Sequence, residues 1–339
     1  MSENYNSNRT PFHSKSPRSH RARPIVLTIA IVAALLGSAL AQHKAMETKM
    51  QPQKVSRLPQ KVQAAYETIY FKNGKLSIEA YFYKPQGNGP FPLVIYNHGS
   101  REGKERVEIP MQFIANVLLP QGYAVLVPER RGYGKSDGKT YGEEVGSDIG
   151  DLMMKRFREE ASDVIAGYDY LRKGETNGGF QLPGPTSTLI DFNRVAIMGW
   201  SHGGVVSLLT ASERHAFVAL VDQAGGALTW NHSPTLQREL PDAARKIKIP
   251  AICMDAENDA TTNAAKSVGE AIKASGEPEK TIIYPPFTPT SNPSNIAPGH
   301  LIFGQGVSIW QGDLLDFLKP YLRPHPMIEK VSPVKVRRN

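Results

Sequence analysis

An α/β fold with a mainly parallel central sheet and helices on both faces is what this sequence predicts, on three observations. Short apolar runs recur from Phe91 to Tyr284 and alternate with helix-compatible stretches, as expected of strands buried on both faces and joined by crossovers. Two β-rich stretches separated by Asn73-Gly74 precede them, and that dipeptide is a strong hairpin signal. One apolar run, Val195-Ala196-Ile197-Met198, ends in Gly199-Trp200-Ser201-His202-Gly203 and is followed by a helical stretch. That is the strand-turn-helix form that lifts a serine hydroxyl out of a sheet.

The chain of 339 residues opens with a segment set apart from the fold. Arg18, Arg21 and Arg23 precede an apolar run from Ile25 to Leu36, and Gly37-Ser38-Ala39-Leu40-Ala41 follows. A basic region, a short apolar region and an Ala-x-Ala end are the parts of a secretory signal peptide, so residues 1–41 are expected to be a signal cleaved after Ala41. The alternative is an uncleaved anchor, with residues 25–41 as a membrane tether, because the apolar stretch approaches spanning length. Either places the rest of the chain outside the cytoplasm: secreted, periplasmic or membrane-anchored. Residues 42–60 are polar, without period, and read as a linker. The net charge of +8 is concentrated at the ends. Residues 1–41 hold five basic residues and one acidic one, and Lys330, Lys335, Arg337 and Arg338 fall in a basic tail over 326–339. Charge at chain ends is not a nucleic-acid footprint, which needs a basic patch on a folded face.

The body, 61–325, reads as one domain. Ala65–Phe71 and Ser77–Lys84 form the opening hairpin, and Phe91–Tyr96 the first buried strand. Ile109–Leu119 is a helix, Tyr123–Val127 a strand, and Asp151–Leu171 a long helix. Gly174–Thr188, rich in Gly, Pro, Ser and Thr, is a loop. Val195–Trp200 leads into the Ser201 turn, and Gly203–Ser212 is the helix after it. Phe217–Asp222, Ile249–Met254 and Thr281–Tyr284 are strands; Pro234–Lys246, Asn263–Ser275 and Val307–Tyr321 are helices. Cys253 is the one cysteine; it reads as a small buried strand residue, and an intramolecular disulfide is impossible. With neither HExxH nor Cys-x-x-Cys present, no metal site or cofactor is predicted.

A serine hydroxyl needs a base within hydrogen-bond reach and a third group to hold that base. The elbow arrangement supplies them in the chain order Ser, acid, His. After Ser201 only His300 and His325 qualify as the base, and His325 lies between Pro324 and Pro326 beyond the last helix. His300, in a loop between strand and helix, is therefore the candidate. The acid belongs in Met254-Asp255-Ala256-Glu257-Asn258-Asp259. Asp259, deepest in the loop, is favoured over Glu257 and Asp255, although capping the next helix would be its ordinary structural use. Two backbone N–H groups should face the substrate oxygen: that of His202, directly after the serine, and that of Ser100 in Asn97-His98-Gly99-Ser100, with Gly99 in reserve. His98 reads as structural, Arg101 and Glu102 as a solvated charged loop, and Trp200 as packing. A second Gly-x-Ser-x-Gly, Gly134-Lys135-Ser136-Asp137-Gly138, has charge and turn residues on both sides and reads as a surface loop.

Together His98-Gly99, Glu129-Arg130-Arg131-Gly132-Tyr133-Gly134-Lys135-Ser136-Asp137-Gly138, Gly199-Trp200-Ser201-His202-Gly203-Gly204, Asp259 and Gly299-His300 resemble the α/β-hydrolase superfamily. The nearest branch is that of the dienelactone-hydrolase-like and prolyl-oligopeptidase-like catalytic domains, over residues 65 to 321. The resemblance implies the α/β-hydrolase fold and a serine hydrolase without a cofactor. It also implies that the Arg-Gly-x-Gly-x-Ser segment packs near the active site and serves structure. Two departures matter. Dienelactone hydrolases use cysteine where Ser201 stands, so their substrate is not implied. Oligopeptidases carry a propeller, for which about two dozen polar residues leave no room. The expected function is cleavage of a small carboxylic ester through an acyl-enzyme. A peptidase or acyltransferase with the same three residues is the first alternative, with the leaving group selected by Gly142–Arg158 and Pro285–Gly299. A hydrolase-fold binding protein without catalysis is the second.

Overall fold

The computed structural model describes residues 64–174 and 189–323. The signal or anchor, the linker, all but the first residue of the Gly174–Thr188 loop, His325 and the basic tail lie outside the described residues.

Eight strands form one sheet: β1 (Glu67–Asn73), β2 (Leu76–Tyr83), β3 (Phe91–Asn97), β4 (Ala124–Glu129), β5 (Ile190–Trp200), β6 (Ala219–Gln223), β7 (Ala251–Ala256) and β8 (Glu279–Tyr284). Their order is β1-β2-β4-β3-β5-β6-β7-β8. The β1–β2 and β2–β4 pairs are antiparallel and all later pairs parallel. Strand pleating sorts the apolar side chains into two cores. Leu93, Ile95, Val195 and Ile197 enter one, and Val94, Tyr96, Ala196 and Met198 the other, which is the period-2 alternation of a sheet covered on both faces.

The long helices divide between those cores. Alpha-helices α2 (Asp151–Lys173), α3 (His202–Glu213), α4 (Pro234–Ala244) and α5 (Asn263–Ala274) bury residues in the first. Helices α1 (Gln112–Leu118) and α6 (Val307–Leu322) do so in the second. None of the described helices is long and apolar enough to cross a membrane.

Several boundaries differ from the sequence reading for identifiable reasons. The hairpin turn is Gly74-Lys75, because Asn73 stays paired with Leu76 in the ladder. The Asn73 amide is taken by Ser162 Oγ and Asp163 Oδ1, each at 2.8 Å. Helix α1 starts at Gln112, after Met111 in a left-handed conformation. Strand β5 starts at Ile190 rather than Val195, since Asp191, Asn193 and Arg194 extend it despite their polarity. The loop around Ser136 is at the surface through Lys135, Asp137 and Gly138, but the Ser136 hydroxyl is buried, donates to the Glu129 carbonyl and accepts from Glu79 N at 2.8 Å. Arg101 is not solvated. It is buried against the carboxylate of Glu129.

Candidate active site

The chain turns from β5 into α3 at Ser201, whose φ of 58° and ψ of −122° are a strained conformation for a residue with a side chain. Two glycines make the crossing possible. A Cβ on Gly199 would stand 2.1 Å from the Gly203 carbonyl oxygen, and one on Gly203 2.0 Å from that of Asn97. The helix therefore presses directly on β3 and β5, and Ser201 is held by its own N–H donating to the Gln223 carbonyl at 2.8 Å.

The hydroxyl of Ser201 lies 2.7 Å from His300 Nε2, and His300 Nδ1 lies 2.7 Å from Asp259 Oδ2. Three segments far apart in sequence thus meet at the strand C-termini, where ligands bind in open α/β sheets. His300 is almost wholly buried, and Trp200 Nε1 donates to its carbonyl at 3.1 Å, so Trp200 does pack, and it packs on the base. The loop carrying Asp259 is braced by Asn258, whose amide donates to Phe287 O at 2.9 Å and accepts from Phe287 N at 2.8 Å. Thr262, not Asp259, occupies the N-cap position of α5. Neither competing acid bonds His300, although the Asp255 side chain lies against that of Asp259. Glu257 is exposed, and Asp255 is buried with Oδ1 accepting from Ala256 N at 2.8 Å. Burial first, and the neighbouring Asp259 charge second, hold the Asp255 carboxyl well above the usual carboxylate range.

Ser100, Ser201 and His202 line one cavity of about 130 Å³. The His202 N–H opens α3, where no carbonyl lies one turn behind it. Gly99 brings the other donor loop close: a Cβ there would be 3.4 Å from Ser201 Cβ. The rest of the cavity wall is largely apolar and includes Tyr141, Phe157, Leu228 and Leu236. Of the two specificity segments expected from sequence, Gly142–Arg158 contributes Phe157, while no residue of Pro285–Gly299 reaches this cavity. Larger clefts are lined by other residues, among them Lys155 and Glu159 of α2 in one, and His215 and Lys248 in another.

Sequence reasoning missed the charged layer beneath the site. The His202 imidazole packs edge-on against Phe157, Tyr141 and Tyr133, and its Nε2 meets Glu160 Oε2 at 2.7 Å. Glu160 also accepts from Arg130 Nε at 2.7 Å and Arg156 Nε at 2.8 Å. Arg130 Nη2 in turn donates to the His98 carbonyl at 2.9 Å. Burial alone would raise the Glu160 carboxyl, but His202 and the two guanidinium groups outweigh it and hold it below the ordinary range. Burial also keeps His202 below its usual value, against the pull of Glu160. His98 is held far down by burial and then by Arg130 and Arg101. A neutral ring fixes its tautomer: Nδ1–H donates to Gly99 O at 2.8 Å, and Nε2 accepts from Arg101 at 2.8 Å. Burial pushes Glu129 up to about 7 despite Arg101 beside it. Cys253 is buried, as expected for a strand residue. Among the described residues no group of His, Cys, Asp and Glu is disposed to hold a metal ion.

Comparison with known proteins agrees with this architecture. The family model of X-Pro dipeptidyl-peptidases (S15 family) matches residues 73–238, just under half of the chain and short of Asp259 and His300. The quorum-quenching protein AidA of Acinetobacter baumannii is 25% identical over 188 residues. That match covers 54% of this chain and 53% of the relative, so the chain spans about half the length of the curated relative it matches. An esterase of Pyrococcus furiosus superposes with a TM-score of 0.53 at 18% identity, over 76% of this chain and 92% of its own. A dienelactone hydrolase of Anabaena variabilis gives 0.52 at 19%, over 77% and 100%. An acylaminoacyl peptidase of Pyrococcus horikoshii gives 0.54 at 17%, over 77% of this chain but only 42% of its own. With the sheet order, the strained serine turn and these likenesses pointing one way, the chain has the α/β-hydrolase fold.

Proposed function

We propose that the protein is a serine esterase that cleaves small carboxylic esters through an acyl-enzyme. The observation that carries this reading is the unbroken hydrogen-bond line from Asp259 through His300 to the Ser201 hydroxyl. Ser201 attacks the ester carbonyl while His300 Nε2 takes its proton. Asp259 keeps Nδ1–H directed toward itself and steadies the imidazolium. The amides of His202 and Ser100 receive the negative charge that develops on the carbonyl oxygen. His300 then returns the proton to the departing alcohol, and water, activated by the same imidazole, releases the acid. No step requires a cofactor.

A fluorophosphonate probe tests the nucleophile: the parent chain labels and Ser201→Ala does not. Asp259→Asn should lower kcat by on the order of 10⁴, the scale of the equivalent change in a serine-protease triad. Full activity in that variant would remove Asp259 from the mechanism.

The match to the X-Pro dipeptidyl-peptidase model supports a second reading, peptide cleavage by the same three residues. Turnover of X-Pro anilides with kcat/KM above that of p-nitrophenyl esters would favour it. The basic-then-apolar order of residues 18–41 supports action outside the cytoplasm. N-terminal sequencing of the exported chain, expected to begin at Gln42, checks that reading; retention in the membrane fraction would favour the tether.

A further inference from the structure

We propose that Asp255 is a positioning residue: its carboxyl stays protonated and donates a hydrogen bond to Asp259, adding a fourth group to the line that ends at Ser201. This rests on the roles given above to Ser201, His300 and Asp259. The place of the proton follows from a count of donors. The Asp259 side chain is wholly buried. Its Oδ1 accepts from Ala260 N at 2.6 Å, and its Oδ2 lies 2.7 Å from His300 Nδ1. Asp255, next to last in β7, is also wholly buried. Its Oδ1 accepts from Ala256 N at 2.8 Å, whereas its Oδ2 meets no N–H or hydroxyl. The two carboxyls nonetheless lie within hydrogen-bond reach of each other. Two bare carboxylates in contact and out of water repel, and one proton between them turns the contact into a bond. Both Asp259 oxygens already accept an N–H, so the proton belongs on Asp255 Oδ2.

The surroundings leave no other way to neutralise the pair. Among the described residues, the one ion-pair partner of either carboxyl is His300. The remaining titratable groups that face Asp255 are acids: Asp259 on the loop above, Asp222 on β6, and Cys253 two positions earlier on the same face of β7. Ile283 stands opposite on β8, and the residues that α5 buries on this face are apolar. Burial first, and the Asp259 charge second, push the Asp255 carboxyl up to about 9, so the proton is kept throughout turnover at neutral pH. The donated bond has two effects. It fixes the Asp259 carboxylate in the plane that faces His300. It also turns the positive end of a dipole toward the imidazole, so His300 stays neutral, and able to take the Ser201 proton, to lower pH than Asp259 alone would allow.

The test is the pH profile of kcat/KM for p-nitrophenyl acetate on the full chain, from about pH 5 to about pH 10. The parent should lose activity above about 9, where Asp255 ionises against Asp259. Asp255→Asn keeps an oxygen for Ala256 N and an N–H for Asp259 but cannot ionise. It should remain within about tenfold of the parent at neutral pH, the scale of exchanging one donor for another, and lose the alkaline fall. Asp255→Val has no donor. Its kcat should lie about tenfold or more below that of the asparagine variant with KM little changed, and its acid limb should rise by about half a unit. A purely structural role would lower the urea midpoint and leave both limbs where they are. The proposal is overturned if Asp255→Asn keeps the parent's alkaline fall, or if a folded Asp255→Val keeps the parent's kcat and limbs. Should Asp255→Val not fold, the asparagine profile decides. Rates of Ser201 labelling by a fluorophosphonate give the same profiles without ester turnover. If the parent labels with these limbs and cleaves no ester, the esterase reading fails and the role of Asp255 stands. A labelling profile that Asp255→Asn leaves unchanged refutes that role alone, and absence of all labelling refutes both.

Discussion

Asp222, one residue before the end of β6, has its carboxyl buried, and its Oδ1 accepts a bond from Gly225 N at 3.0 Å. Burial pushes that carboxyl up to about 7, whereas in the unfolded chain it titrates near 3.9. Between those two values the folded state holds a proton that the unfolded state has lost, so stability falls as pH rises, by at most about 1.4 kcal/mol per unit. Above the upper value both states are ionised and the slope vanishes. Asp222→Asn removes this dependence while keeping an oxygen for Gly225. The variant should therefore gain on the parent between pH 5 and pH 8, read as urea midpoints at both. Comparison with the parent isolates the effect, because His98 and His202, held down by burial, give the opposite trend below their ordinary value. A difference that does not change with pH would mean Asp222 is ionised throughout. On the neighbouring strand β7, a neutral Asp255 cannot supply the negative charge that steadies an imidazolium. Asp255→Asn should keep activity within about tenfold of the parent, against the much larger loss on the order of 10⁴ at Asp259. Initial rates on one ester compare them directly, and equal losses would return Asp255 to the catalytic group.

At the scale of the elements, Glu160 ties together the parts that carry both proposed oxyanion donors. It reaches from α2 to His202 at the start of α3, and through Arg130 to the His98 carbonyl two residues before Ser100. Replacing it with glutamine leaves two buried guanidinium groups without their shared carboxylate, and breaking such a buried set typically costs about 3–5 kcal/mol. Urea denaturation of Glu160→Gln should show a loss of that order; a loss below about 1 kcal/mol would mean that Arg130 and Arg156 find other partners. This layer was hidden in the sequence because Lys155-Arg156-Phe157-Arg158-Glu159-Glu160 has the look of a solvated helix face. The signal was present in the spacing. Arg156 and Glu160 are four apart and fall among Met153, Phe157 and Val164, on the buried stripe of α2. Strands were easier to read, since burial on both faces leaves an uninterrupted apolar run. The largest miss at a strand start was β5, where polar residues continue the strand before its apolar run. The serine and histidine could be read from motif and chain order, and the acid was narrowed to three neighbours. Choosing among those three required the loop geometry that Asn258 and Phe287 impose.

At the largest scale, the described residues form one sheet between two helical layers, and every strand between the edges serves both. Alternate residues of β3 and β5 enter opposite cores, so neither layer can be lost without exposing one face of the same strands. The three tryptophans sample this arrangement. Trp230 lies in the core that α4 joins, Trp310 of α6 in the opposite core, and Trp200 packs on His300 at the strand ends. If the sheet couples the layers, tryptophan fluorescence and far-UV circular dichroism should give one coincident transition in urea. Trp310→Ala is the sharper test. It opens a cavity in the second core alone and should cost about 3–5 kcal/mol. Coupling through the sheet requires both signals to move to the same lower midpoint, including the fluorescence of Trp230 in the other layer. A variant in which Trp230 and the bulk of the helical signal still unfold at the parent's midpoint would show the α6 layer detaching by itself. The strands would then retain their pairing with one face uncovered, and the folded body would have to be treated as two cooperative units sharing a sheet.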